Sequence, residues 1–443
     1  MSQKALEYQG FYMAPDERKI DKKELLCNIE RWFSSVKCDE GTMKFNKNIL
    51  EKWRTMGDGD WGNNTGLPYM NITDNHIYYL PFSMVGDIYG SNGMSAGNTA
   101  SEALVQGLSE VLERYVQRKI ILERIIPPTI PDSYISEKYP YLYHMIRELE
   151  KKGDFKVIVK DCSLGKGFPV TAIYFLDRSR HSYFIRFGAH PSFDISLERC
   201  LTELLQGKNI DDLSWRVPLS FSDEEIFSAG NLNDIFINGA APHPPEMFMD
   251  KFSYEFGGIR DMSGRDNHAM LSRLIGIIES NGGNILIRDV SFLGFPSFHM
   301  IVPFMSEMVN YRVKTFSNIT GPGRIPSLLM RLEELGGGEL QGLVDAILEN
   351  GCSPKNSIAD LFHRSLSSDF PWHRIKLDFF LGCAYYKLGE PAKACKFIER
   401  FVKSMKSSKN DAGNAYYNCI KDYFGALACG RNDMIKIKKI LIK

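Results

Sequence analysis

Acidic and amide side chains recur between residues 91 and 120 at spacings that place them on one face of an α-helix. Glycine and small residues precede this stretch, so backbone N–H groups at the predicted helix start are open to an anion. At about 100° per residue the polar side chains fall within an arc of roughly 100°. These side chains are Glu102, Gln106, Ser109, Glu110, Glu113 and Gln117. The opposite side carries Leu104, Leu108, Val111, Leu112 and Tyr115.

Three glutamates on one helix face repel one another, and a bound divalent cation would neutralise them. A ligand set made only of oxygen atoms favours Mg²⁺ over zinc. Glu102 and Glu113 are about 16 Å apart along the helix axis, so one ion cannot contact both carboxylates. A polyphosphate that carries more than one Mg²⁺ could bridge this distance.

A second stretch, residues 194–210, shows the same division into a polar and an apolar face. Ser196, Arg199, Glu203 and Gln206 share one face, and Leu197, Cys200, Leu201 and Leu204 share another. Two such helices suit a shared polar cleft. In that cleft Arg114 and Arg199 would meet phosphate oxygens while glutamates hold a metal ion.

Simpler interpretations stay open for each of these patterns. Asn98 or Thr99 followed by Glu102 is a capping-box pattern, in which Glu102 only completes the helix start. The polar face of the first helix could also be a solvated face. Arg199 and Glu203, one turn apart, could form an ordinary surface ion pair.

Three sequence blocks resemble the YcaO family. The run from Ser91 to Thr99, continued by the helix with Glu102 and Arg114, resembles the nucleotide-binding helix of YcaO proteins. A second block contains the residues 187–191, 197–199 and 202–207, and a weaker third block spans 301–306. The similarity covers about residues 66–345, and it is closest to the stand-alone branch linked to thiomethylation of a small-subunit ribosomal protein.

The resemblance implies an enzyme that uses ATP and Mg²⁺ without a P-loop. It further implies that ATP phosphorylates the oxygen of a backbone amide after a nucleophile has attacked the amide, in a peptide or protein substrate. Glu110, Glu113 and Glu203 would hold Mg²⁺. The nucleotide would be contacted by Ser95, Asn98, Glu102, Gln106, Arg114 and Arg199.

The sequence departs from the family at its N-terminal side. YcaO proteins begin with a Gly-Lys-Gly loop and a helix with Glu-x-x-Glu-Arg, and we expect this chain to be N-terminally shortened. Its Gly-Lys-Gly at 165–167 lies between two predicted strands and is interpreted as a turn. The run from Asn28 to Arg31 is too weak a match to replace the missing helix.

Three hypotheses follow from this mixture of match and departure. The chain is an enzyme completed by a second polypeptide or by a homodimer partner, a non-catalytic accessory that binds a peptide or a partner protein, or a truncated gene product.

The elements that would position these residues predict an α+β fold in three parts. Residues 1–65 form an adapter segment with a helix that Asp21 caps. Residues 66–345 form the YcaO-like domain, with an antiparallel three-stranded meander over 155–190 and a hairpin over 284–305. Its helices are predicted over 99–120, 194–210 and 266–281. Residues 346–443 form a helical, tetratricopeptide-like region.

Composition narrows the function classes. Lys and Arg number 54 and Asp and Glu number 54, so no global field attracts the chain to nucleic acid or to an anionic membrane. The cysteines number nine and include no Cys-x-x-Cys pair, which favours reduced thiols and a cytoplasmic location. No apolar run reaches the length of a membrane span or a signal peptide, so we expect a soluble protein that is not exported.

Overall fold

The computed structural model describes six stretches of the chain. These are residues 15–30 without 22, 25 and 29, residues 65–204 without 83 and 84, residues 217–307 without 228–230, 233 and 236–240, residues 331–349 with isolated positions within 325–361, and residues 375–405 and 411–430. In these parts helices pack on antiparallel sheets, as the sequence predicts.

A six-stranded antiparallel sheet combines segments distant in sequence. Its strands are β1 (Arg18–Lys19), β2 (Thr65–Asn71), β3 (Ile77–Pro81), β4 (Met94–Ala96), β9 (Leu286–Asp289) and β10 (Ser297–Ile301). The order is β1-β2-β9-β10-β4, and β3 pairs with β2. The predicted hairpin over 284–305 is confirmed as β9 and β10. Strand β4 leads into the first long helix and lies at the edge of the sheet.

A four-stranded antiparallel sheet contains the predicted meander. It consists of β5 (Phe155–Asp161), β6 (Val170–Asp177), β7 (Ser182–Ala189) and β8 (Val217–Pro218), in that order. Successive residues of a strand point to opposite faces of the sheet. Because successive residues of β6 are buried, both faces of the sheet are covered there. Ala172 and Tyr174 belong to one core, and Ile173 and Phe175 belong to another.

The helices that accompany the sheets include α1 (Ala100–Leu122), α2 (Asp132–Lys138), α3 (Pro140–Glu150), α4 (Phe193–Leu204), α5 (Asp223–Ile226) and α6 (Asn267–Ser280). The helices predicted near 99–120, 194–210 and 266–281 are confirmed, and 205–216 lie outside the described residues. Helix α1 lies between the sheets, packing on β4 and β10 of one and on β7 of the other. The apolar residues of α4 pack in the core that contains Ile173 and Phe175, and those of α1 pack in the core that contains Ala172 and Tyr174. Helices α1 and α4 therefore cover opposite faces of the four-stranded sheet.

The segment before β2 is tied to the six-stranded sheet by a charged contact. Arg288 of β9 donates to both carboxylate oxygens of Asp16, with Nε at 2.7 Å and Nη2 at 2.6 Å. Asp21 accepts from the N–H of Glu24 at 2.8 Å, as the predicted N-cap would. The remainder of the expected adapter, including Arg31, falls mostly outside the described residues.

The C-terminal helices build a core of their own. They are α7 (Gly337–Glu349), α8 (Leu377–Lys387), α9 (Pro391–Met405) and α10 (Asp411–Ala428). The predicted turn between α8 and α9 contains Gly389 with φ +77°. Side chains from Ile325 onward join this core, and both the boundary at 346 and the tetratricopeptide-like character stay predictions. Across the described helices, none has the length and apolarity that a membrane crossing requires.

Candidate nucleotide site between two helices

The N-terminal end of α1 is held by local hydrogen bonds. Thr99 is the N-cap, and its Oγ1 accepts from the N–H of Glu102 at 3.2 Å. The Glu102 carboxylate accepts from the Asn98 N–H at 3.1 Å and from Asn98 Nδ2 at 3.2 Å. Ser95 Oγ donates to the Ala103 carbonyl at 2.6 Å. The capping role of Glu102, one of the two interpretations of the sequence, is therefore present, and the expected nucleotide contacts of Ser95, Asn98 and Glu102 stay predictions.

Two glycines let the site helices approach their sheets. A Cβ on Gly107 of α1 would lie 2.7 Å from Ser95 Oγ and 3.0 Å from the Gly93 carbonyl oxygen. A Cβ on Gly188 of β7 would lie 2.5 Å from the Ser196 carbonyl oxygen of α4. Real Cβ contacts are longer than these, so only glycine permits this packing.

Arg199 joins α4 to α1 beside the end of β7. Its Nη2 donates to Gln106 Oε1 of α1, and its Nη1 donates to the Ala189 carbonyl oxygen at 3.2 Å. On α1 itself, Arg114 Nε donates to Glu110 Oε1 at 3.1 Å. The polar faces predicted for the two helices therefore meet around the edge of the four-stranded sheet.

Glu113 lies at the centre of this group of charges. Burial, together with the negative charges of Glu203 and Glu110, raises its pKa to about 8, although Arg114 and Arg199 oppose the shift. Coulomb interactions fall with distance, so these residues are neighbours. We call Glu110, Glu113, Arg114, Arg199 and Glu203, together with Gln106, the α1/α4 cluster.

The solvated-face interpretation of α1 does not fit the structure. Ser109 is fully buried and Gln117 is only 8% exposed, although both lie on the polar face. Within the described chain, Ser109 Oγ has no hydrogen-bond partner. Helix α1 is enclosed on most sides because it lies between two sheets, and Glu113 is the glutamate whose pKa burial raises.

The surface ion pair considered for α4 is also not the arrangement observed. Among the described side chains, Arg199 bonds to Gln106 and to the Ala189 carbonyl and forms no salt bridge with Glu203. Glu203 instead adds negative charge at Glu113. Gln206, the fourth polar residue predicted for this face, lies outside the described residues.

The carboxylates of the cluster do not by themselves enclose a metal ion. Over the part of the chain that the structure describes, no group of three or more His, Cys, Asp or Glu side chains is placed to hold one. Mg²⁺ is commonly held by one or two carboxylates together with substrate phosphates and water. The pKa of Glu113 is raised mainly by burial and secondly by the charge of Glu203, so a cation that arrives with a phosphate ligand would stabilise its ionised form.

His190 and a neighbouring cavity were not assigned a function from the sequence. His190 is 5% exposed, and burial together with the charge of Arg199 lowers its pKa to about 4. The cavity beside it is lined by Arg260 and Arg273. Both arginines come from segments far along the chain from the family-like blocks, so no local spacing indicates that they meet here.

Fold and cluster define an α+β protein in which charged side chains of two sheet-covering helices meet. The chain belongs to the YcaO family, because residues 47–306, more than half of it, match the family model for the YcaO cyclodehydratase, ATP- and Mg²⁺-binding. The resemblance inferred from the sequence blocks is thereby confirmed.

Two relatives are similar over long stretches. The ribosomal protein S12 methylthiotransferase accessory factor YcaO of Escherichia coli is 31% identical over 358 residues, which cover 80% of this chain and 60% of that protein. An uncharacterized protein of Haemophilus influenzae is 38% identical over 242 residues, which cover 55% of this chain and 40% of that protein. The aligned parts thus span less than two thirds of each relative.

Solved structures show weaker likeness. A heterocyclase in complex with substrate and cofactor has a TM-score of 0.44 at 20% identity, covering 68% of this chain and 42% of that one. YcaO from Methanopyrus kandleri, bound with AMPPCP and Mg²⁺, has a TM-score of 0.38 at 18% identity, covering 54% of this chain and 63% of that one.

Proposed function

We propose that the α1/α4 cluster binds Mg-ATP and that the chain takes part in YcaO-type activation of a peptide backbone amide, in which the amide oxygen is phosphorylated. The observation that carries the proposal is the position of Glu113. It lies among two further carboxylates and two guanidinium groups, between two helices of a YcaO domain.

Each residue of the cluster has a role that its chemistry suits. Glu110, Glu113 and Glu203 would hold Mg²⁺, and Arg114 and Arg199 would neutralise phosphate charge. Gln106 keeps Arg199 oriented, since it accepts from that guanidinium. The start of α1, with Ser95, Asn98 and Glu102, would contact the nucleotide. Bound ATP would supply the phosphoryl group that turns an amide oxygen into a good leaving group.

The proposal includes partners. The substrate is a peptide or protein, which is supported by the similarity to the Escherichia coli ribosomal protein S12 methylthiotransferase accessory factor. Further contacts to the nucleotide would come from a second polypeptide or a homodimer partner. The helices α7–α10 would form a tetratricopeptide-like surface, and the cytoplasm suits the seven described cysteines, none of which is in a disulfide.

Calorimetric titration of the purified chain with Mg-ATP tests the nucleotide site. Glu203→Gln removes a carboxylate of the cluster, whereas Glu198→Gln makes the same change at an exposed position of the same helix. We expect Glu203→Gln to weaken Mg-ATP binding about tenfold or more, as loss of a charge-assisted contact does. Equal affinities of the two variants would contradict the proposal.

A non-catalytic accessory that binds a peptide or partner protein is the second candidate. It is favoured by the local bonds that occupy Asn98 and Glu102 and by the absence, among the described residues, of a three-ligand metal group. It predicts partner binding that is unchanged in Glu203→Gln, measured by co-purification with the partner.

A further inference from the structure

A cavity of about 280 Å³ adjoins α4 on the side of Ser196. Its walls are the loop 162–169 between β5 and β6, the connection 190–193 that leads into α4, the loop 255–260, and Arg273 of α6. The Gly-Lys-Gly run at 165–167, interpreted from the sequence as a turn, does connect two strands. It also forms one wall of this cavity.

Positive charge exceeds negative charge in the lining. Lys166, Arg260 and Arg273 supply cations, and Asp161 and Glu255 supply carboxylates. The Asp161 carboxylate already accepts from the N–H of Ser163 at 2.9 Å and from its Oγ at 3.1 Å. Within the described chain, neither arginine has a salt-bridge partner, and Arg273 Nη2 donates a long hydrogen bond of 3.5 Å to the Gly167 carbonyl oxygen. The positive charge of the two guanidinium groups is therefore left for another anion.

Both guanidinium groups approach one point beside Gly167. The position that a Cβ on Gly167 would occupy lies 3.9 Å from Arg260 Nη1 and 3.9 Å from Arg273 Nη2. Burial lowers the pKa of Arg273, and the neighbouring charge of Arg260 lowers it further. Arg273 Nε is buried without a hydrogen-bond partner among the described residues. Two like charges held together in this way are stabilised by a bound oxyanion, the usual forked partner of arginine.

His190 adds a neutral donor to the same lining. Its Nδ1 accepts from the N–H of Ser192 at 3.0 Å, and its pKa is lowered to about 4. The neutral ring therefore carries its proton on Nε2. The cavity wall thus includes a hydrogen-bond donor that stays uncharged at neutral pH.

The rim of the cavity offers open backbone. No atom lies within 4 Å of the position that a Cβ on Gly257 or Gly258 would occupy. The N–H groups of these two glycines have no hydrogen-bond partner among the described residues. An extended peptide can pair with such backbone groups while one of its carboxylates lies between the two guanidinium groups. Free backbone N–H groups also bind phosphate, so inorganic phosphate is the competitor in the test below.

We propose that this cavity binds an acidic side chain of the polypeptide substrate and so holds the substrate next to the α1/α4 cluster. The proximity rests on α4, where Ser196 lines the cavity and Arg199, about one turn later, belongs to the cluster. This substrate assignment rests on the proposed function. It adds the chemistry that the cavity selects: a carboxylate on an extended chain.

Fluorescence anisotropy at low salt, without nucleotide, tests the assignment directly. The probes are a hexapeptide of alternating Asp and Gly and its Asn counterpart, both carrying a dye without net charge. We expect the Asp peptide to bind and Arg260→Gln/Arg273→Gln to weaken binding about tenfold or more. Lys166→Gln, on an exposed position that does not support the fold, weakens it severalfold. Arg178→Gln, an exposed arginine on the turn between β6 and β7, leaves binding unchanged.

Three results would overturn the assignment: no binding of the Asp peptide, equal binding of the Asn peptide, or complete displacement of the Asp peptide by inorganic phosphate at equal concentration, which would identify a phosphate site. Mg-ATP titration of the same variants separates this inference from the proposed function. The cavity variants should keep wild-type Mg-ATP affinity. If the cavity variants lose Mg-ATP affinity, the cavity is part of the nucleotide site and the assignment is overturned. If neither the wild type nor any variant binds Mg-ATP, the proposed function fails, while the result with the Asp peptide still stands by itself.

Discussion

At the scale of single residues, Glu113 lies in surroundings that disfavour its negative charge. A carboxylate whose pKa is raised to about 8 by burial and by neighbouring carboxylates is held in its neutral form at neutral pH. Such perturbed groups concentrate at functional sites, because structural packing alone gains nothing from desolvating a glutamate between two others. A cation that takes the place of the proton would offset the free-energy cost of ionising the buried Glu113 carboxylate.

The charge at Glu113 predicts a particular pH dependence of stability. Its pKa is about 8 in the folded chain and near the ordinary 4.5 in the unfolded chain, so the folded state binds more protons between these values. The contribution of Glu113 to the free energy of unfolding is therefore fully present below pH 4.5 and is lost as the pH rises to about 8. Glu113→Gln removes the loss, so between about pH 5 and about pH 8.5 it should gain on the order of 1–3 kcal/mol relative to wild type.

Urea unfolding at the two pH values, without nucleotide, measures this difference. Glu198→Gln, exposed on α4, is the matched control and should follow wild type at both values. A constant difference between Glu113→Gln and wild type would show that Glu113 titrates normally.

Proton release provides a second test of Glu113 that does not depend on turnover. At pH 7 a group of pKa about 8 is roughly nine-tenths protonated, and a metal ligand must be ionised. Mg-ATP binding should therefore release close to one proton from this residue. Calorimetry in buffers of different ionisation enthalpy counts the protons, and Glu113→Gln should release about one fewer. The same proton count for both proteins would exclude Glu113 as a ligand.

The convergence of these residues could be predicted from the sequence because helical periodicity assigns faces without knowledge of the fold. The polar faces that contain Glu113 and Glu203 follow from spacing alone, and their meeting required only that the two helices be neighbours. The choice between capping and ligand binding at Glu102 could not be made, since both use the same spacing. The meeting of Arg260 with Arg273 could not be predicted, because loop geometry sets it.

At the scale of elements, the site depends on how closely α1 approaches β4 and β10. The approach is set at Gly107, where any side chain would meet Ser95, the Gly93 carbonyl and the tip of Met300. The sequence predicts α1 as a helix but does not predict this close contact. A glycine within a helical pattern looks the same whether it permits close packing or is only tolerated in the helix.

Gly107→Ala should destabilise the chain although alanine is the better helix former. The added methyl group would overpack the contact between α1 and β4, and we expect a loss of about 1–3 kcal/mol. Gly276→Ala on α6 is the control, since no atom lies within 4 Å of its Cβ position, and it should gain up to about 1 kcal/mol from helix propensity. Urea unfolding of both variants gives the comparison. Stabilisation by both substitutions would mean that α1 does not pack this closely.

At the scale of the whole molecule, the described residues build hydrophobic cores from separate parts of the chain. Two cores lie on the two faces of the four-stranded sheet, and a C-terminal core contains side chains only from Ile325 onward. The helices α8, α9 and α10 could be predicted from periodicity. The point where one core ends and the next begins could not, because it depends on which surfaces bury one another and not on local pattern.

The separation of the cores predicts that damage to one leaves the other intact. Ile398 of α9 is fully buried. Its side chain packs against Gly382 of α8, and a Cβ added to that glycine would lie 2.6 Å from Ile398 Cδ1. Truncating a buried isoleucine to alanine costs about 2–5 kcal/mol, and distant sites without shared partners act independently. Ile398→Ala should therefore speed hydrogen exchange in α8–α10, measured by mass spectrometry, while exchange in α1 and α4 stays at the wild-type rate. Mg-ATP affinity of the same variant should stay within about twofold of wild type, since no residue of the α1/α4 cluster belongs to the C-terminal core. Faster exchange in α1 would instead show that the C-terminal helices support the nucleotide site, and that both cores unfold as one unit.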